Sequence, residues 1–161
     1  MRKILLSACL LAAAASPALA ASGPTSLGVF SDWTAAEYAV GKTHVCYAFT
    51  RAVGSEKTAT AAMIIVSERP NSRDEVVVNA TAPYPAKSEV AVQVDSQPAM
   101  SFYTSGKGAF ARDGKAAVID MQKGNGATAN WDTKDGKKAE KFSLAGFTAA
   151  YGAIVKACPG S

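Results

Sequence analysis

The chain has 161 residues, with 17 basic and 13 acidic side chains, a single histidine and three cysteines. Its charge of +4 overstates the basic character, because Arg2 and Lys3 sit in an N-terminal leader; without them 15 bases face 13 acids, interspersed, which leaves no electrostatic footprint for nucleic acid. No stretch reaches the ~20 predominantly apolar residues of a membrane-spanning helix, so the mature chain carries no transmembrane segment.

The leader, MRKILLSACLLAAAASPALA, has a basic start, an apolar middle and small residues at its end, the pattern of a secretory signal with cleavage between Ala20 and Ala21. Leu6-Ser7-Ala8-Cys9 resembles a lipoprotein box but comes too early to follow a usable apolar region. Cleavage leaves residues 21–161 as one domain in the periplasm or outside the cell, with Cys46 and Cys158 as its only cysteines. In an oxidising compartment these two form one bridge across 112 residues, which the chain-entropy model values at about 4 to 5 kcal/mol.

Taken in order, SDWTAAEYAV and THVCYAFTRAV flank Gly41-Lys42 as a hairpin. AAMIIVSE reads as a central strand buried on both faces, stopped at Arg69-Pro70-Asn71-Ser72. DEVVVNAT follows, closed by Pro83 and Pro85. EVAVQVDS alternates strictly and is half-buried; AMSFYTS and GAFARD form strands around Gly106-Lys107-Gly108. DGKAAVIDMQKG predicts a short helix capped by Asp113 and stopped by Gly124. ATANWDTK and KKAEKFSL flank Asp135-Gly136, a pair suited to a type I′ turn at a solvated, charged hairpin tip. Finally Leu144, Phe147, Tyr151, Ile154, Val155 and Cys158 share one face of a C-terminal helix that ends at Pro159-Gly160. About eight strands and one or two helices give a mainly β fold: an antiparallel β-sandwich or partly open barrel with the C-terminal helix packed on it.

The stretches LGVFSDWTA, VCYAF, SERP…RDEVVV and KFSLAGFTAAYGAIVKAC occur in an order that resembles the invasion-associated locus B (IalB) family of secreted Gram-negative proteins, over essentially the whole mature chain. The helical ending is the most specific part. The resemblance implies an exported envelope protein; the family is named for members associated with host-cell invasion but extends beyond pathogens. Many members carry a cysteine shortly after the Asp-Trp pair, where this chain has TAAEYAV, so no second bridge forms; NGATANWDTKDGKKAEK is also more charged than the family's strand there. The resemblance carries over no catalytic residues.

His44 and Cys46, two apart on one strand, face the same side, yet a metal site needs three or four ligands and the bridge consumes the thiols. A Ser-His-Asp triad has only His44 to draw on, and no Gly-x-Ser-x-Gly elbow surrounds a serine. A calcium loop with Gly136 at its sixth position would need Trp131 and Thr133 as its first and third ligands. The carboxylates Asp74-Glu75 and Asp95 remain as acid–base candidates that sequence cannot place in space. Trp33, Trp131, Tyr38, Tyr84 and Phe102 belong either to the core or to a binding face, with the core favoured. The expectation is a non-enzymatic exported protein without cofactor, acting by contact with an envelope or host protein; the alternative is a periplasmic inhibitor or small-ligand-binding module.

Overall fold

The computed structural model describes residues 23–40 and 43–160; the leader with Cys9, the cleavage point at Ala20 and Ala21, and the Gly41-Lys42 turn lie outside them. The chain runs β1 (Thr25–Phe30), β2 (Trp33–Val40), β3 (Thr43–Arg51), β4 (Met63–Arg69), β5 (Ser72–Asn79), β6 (Glu89–Val94), β7 (Met100–Ser105), β8 (Gly108–Ala111), α1 (Gly114–Lys123), β9 (Gly126–Thr133), β10 (Gly136–Ser143) and α2 (Phe147–Ala157). Among the described residues these ten strands join one antiparallel sheet in the order β1-β2-β3-β4-β5-β8-β7-β6-β9-β10.

The sheet curls on itself. Ala52, just past β3, bridges to Phe142 on β10, and the Val53 N–H donates to the Lys141 carbonyl at 2.8 Å. The partly open barrel is therefore the form the fold takes, with its two alternating side-chain sets separated into an inner and an outer face. Inner positions such as Ala48, Val66, Val78, Val92, Phe102 and Ala129 form the core. Both helices cover this inner side: Ala117, Val118 and Met121 of α1 and Phe147, Ala150 and Ile154 of α2 join the same cluster, with Phe147 4.7 Å from the Trp33 ring.

Local signals explain most of the elements. The Asp113 carboxylate accepts the Ala116 N–H at 2.9 Å and starts α1, which stops at Gly124. Helix α2 begins later than the apolar pattern predicts, at Phe147, because Gly146 precedes it at φ +89°. A Cβ there would lie 1.9 Å from the Phe30 carbonyl oxygen, so only glycine allows β1 and α2 to meet.

Three expectations change. First, β1 is an additional strand, and Ser31-Asp32, expected inside a strand, form the turn after it, with Ser31 at φ +51°. Second, β4 is central in strand order, but its two sides differ: Ile64, Val66 and Glu68 on the inner side are all deeply buried, whereas on the outer side Ser67 is buried and Met63 and Ile65 are only half-buried. Third, the last hairpin turns on Lys134-Asp135, with Gly136 paired to Thr133 and alone taking positive φ, so the turn is not type I′.

Candidate functional site: a buried ionic node and an apolar outer row

Cys46 and Cys158 are bonded, with S–S 2.18 Å and Cα–Cα 5.9 Å. The bridge fastens the end of α2 to the middle of the sheet. Cys46 lies between two acidic side chains, since Glu37 on β2 and Glu68 on β4 are its register partners on either side. Glu37 Oε2 is 4.0 Å from Cys46 Sγ, while Glu68 is fully buried.

Glu68 is the centre of an ionic node. Its Oε2 lies 2.6 Å from Arg73 Nε but off the N–H direction, an ion pair without a directed hydrogen bond. Its Oε1 accepts the Asp74 N–H at 3.2 Å, and Arg73 Nη1 donates to the Cys158 carbonyl at 2.5 Å. The Tyr151 hydroxyl donates to Asp74 Oδ1 at 2.5 Å. The start of β5 thus holds the chain's last helix at two points, beside the bridge. Burial is the main reason the Glu68 carboxyl is pushed up to about 7; the Asp74 N–H and Arg73 pull against it, and the Asp74 carboxylate adds to the rise. Tyr151 is raised by burial and then by its bond to Asp74.

The outer face carries a different feature. Direct cross-strand partners run Val29, Thr34, Phe49, Ile65, Val77, Phe110, Tyr103 from β1 to β7. Residues directly opposite one another share a face. Phe49, Ile65 and Phe110 are half-buried, Tyr103 is 45% exposed and Val29 71% exposed. The ring faces are occupied: Phe49 has Tyr47 at 6.2 Å, stacked, and the Arg51 guanidinium at 5.2 Å. Tyr103 likewise has Phe110 at 5.4 Å, stacked, and Arg112 at 5.7 Å.

The structure separates the other sequence candidates. His44 is exposed at the start of β3, and among the described residues no group of three or more His, Cys, Asp or Glu is placed to hold a metal ion. Asp74 and Glu75 do not act as a pair, for Asp74 engages Glu68 and Tyr151 whereas Glu75 Oε2 binds Arg69 at 2.7 Å. Asp95 accepts the N–H groups of Asn125 and Gly126 and so fixes the entry to β9. Trp33, Tyr84 and Phe102 are core; Trp131, against Tyr84, and Tyr38, against Tyr47, are half-buried. Sequence reasoning missed Glu68, Arg73 and Tyr151, and also the row, whose members come from seven strands.

A family model described as "Invasion associated locus B (IalB) protein" matches residues 33–155. No curated protein and no solved structure matches the chain.

Proposed function

Because the chain belongs to the invasion-associated locus B family, we propose that it is exported by cleavage between Ala20 and Ala21, that residues 21–161 work as one unit in the periplasm or outside the cell, and that it acts without catalysis by contact with an envelope or host protein. The observation that supports this most directly is the outer row from Phe49 to Tyr103, where Tyr103 is exposed and Phe49, Ile65 and Phe110 are half-buried around a buried Val77, on a face neither helix covers. An antiparallel sheet with one wet face ordinarily alternates polar side chains outward. Apolar patches on a soluble protein mark interaction surfaces. With ring faces taken by neighbouring rings and guanidinium groups, the row offers edges, which suit packing by protein side chains better than stacking by a sugar.

The node reads as scaffolding, since each of its acids is engaged by chain groups that fix α2. The small-ligand alternative finds an open groove of about 330 Å³ lined by Glu89, Ser101, Asn130, Asp132 and Lys137. Ala91, Ala99, Met100 and Trp131 line it as well, so it is of mixed polarity, and it is open to solvent, unlike the enclosed site a carrier uses.

Intact mass of protein recovered from the periplasm tests export: the reading requires a chain starting at Ala21 whose two thiols alkylate only after reduction. Photo-crosslinking from position 103 tests contact. A specific protein adduct at 103, absent from a crosslinker at Lys137, is expected; no adduct, together with turnover in a panel of hydrolase substrates, overturns the reading.

A further inference from the structure

The two edges of the sheet are unlike each other. Strand β10 carries Lys137, Lys138, Glu140 and Lys141, charges that discourage another strand from pairing, and its far end is already bonded to Ala52 and Val53. Strand β1, TSLGVF, has no charged side chain and no proline, and among the described residues it pairs with β2 alone. It is held firmly from within, since Leu27 and Phe30 pack against the core, and the Ala145 carbonyl ahead of α2 accepts the Asp32 N–H at 3.3 Å. A register shift between Ser26 and Gly28 breaks the strand's first half, leaving Gly28–Phe30 as the regular segment, with Val29 71% exposed upon it.

We propose that β1 is a dimerisation edge, on which the β1 of a second copy pairs antiparallel about a two-fold axis so that the two sheets become continuous. The unpaired backbone of an edge strand fits another extended strand. Charge selects which strand. Across a two-fold axis each side chain comes within about 5 Å of its own kind or a near neighbour, so like charges would repel. β1 is free of them and β10 is not. An edge without charges also has nothing with which to choose a foreign strand, whereas its own copy sets the exposed Val29 against an equally apolar segment. The pairing also brings the two outer rows, which begin at Val29, end to end.

The test is sedimentation of the mature protein from low to several hundred micromolar, with hydrogen exchange followed over the same range. A monomer–dimer equilibrium is expected, in which the amides of residues 25–30 gain protection as concentration rises. Val29→Lys, at a site too exposed to disturb the fold, weakens association by roughly tenfold because it sets two lysines across the axis; Lys137→Ala on the opposite edge leaves it unchanged. A chain monomeric throughout, assemblies larger than a dimer, or a dimer indifferent to Val29→Lys would each overturn the proposal. The result is independent of the outer-face contact, which crosslinking from position 103 reads separately.

Discussion

Among the described residues Glu68 is the one acid that the fold removes entirely from water, and the cost has a measurable sign. Burial holds its carboxyl at about 7 in the folded chain against an ordinary value of 4.5, so between those values the native state holds a proton that the unfolded chain has released. Stability from this group is therefore complete below pH 4.5 and declines as pH rises towards 7, by as much as about 3 kcal/mol. Urea unfolding at pH 5 and pH 8 reads it: Glu68→Gln, which cannot ionise, flattens the decline, and equal pH dependence in both proteins would refute the assignment. Tyr151→Phe should cost about 1 to 2 kcal/mol, because it leaves the Asp74 carboxylate without the hydroxyl it accepts from, in a partly solvated place that softens the loss. Chemical denaturation checks that value. None of this was legible beforehand. SERP reads as a strand followed by a turn, and nothing local marks the glutamate as buried; its partners lie in the next strand and in a helix far along the chain. The bridge, by contrast, was readable, because an expected cleavage of the leader leaves Cys46 and Cys158 as the pair to bond.

Elements whose signals are local were read well, and those signals predict how each element fails. Asp113→Ala removes the bond to the Ala116 N–H and should cost about 1 kcal/mol, seen as faster amide exchange in the first turn of α1. Gly146→Ala should be far worse, since a Cβ would collide with the Phe30 carbonyl at a backbone angle that alanine avoids. The expected outcome is a loss of more than about 2 kcal/mol, or failure to fold, with exchange rising in both β1 and α2; a neutral effect would mean that the two elements can separate without cost. Strand β1 shows where local reading stops. Its six residues lack alternation, are interrupted by a register shift at Gly28, and become a strand by pairing with β2 and packing under α2. The turn at Lys134-Asp135 differs from expectation by a single residue for a similar reason: pairing with β9 draws Gly136 into the ladder, where it supplies the positive φ after the turn.

At the scale of the molecule, strand order is what the sequence hides. The segment after β5 returns through β8, β7 and β6 in reverse, so that β6 takes β9 as its second neighbour with α1 carried between them; alternation in EVAVQVDS gives a half-buried strand but not its partners. Against this non-local topology the bridge has a particular mechanical role. It joins β3, where the curled sheet nearly closes on β10, to the last turn of the chain, across 112 residues. Unbridged, the unfolded chain gains loop freedom and α2 is left to its apolar face and to the Arg73 and Tyr151 contacts. Replacing both cysteines by serine should thus cost about 2 to 5 kcal/mol in urea unfolding. If the loss comes mainly from freeing the unfolded chain, native exchange in α2 stays as slow as before. If it comes from unfastening the helix, α2 exchanges early while the sheet stays protected, and the difference between Glu68 and Glu68→Gln shrinks with it, because the node then loses the Cys158 carbonyl that orients Arg73. We expect the second pattern, since Arg73 and the bridge grip the same turn of backbone; stability within about 1 kcal/mol of the bridged protein, with α2 unchanged, would show that the node alone holds the helix.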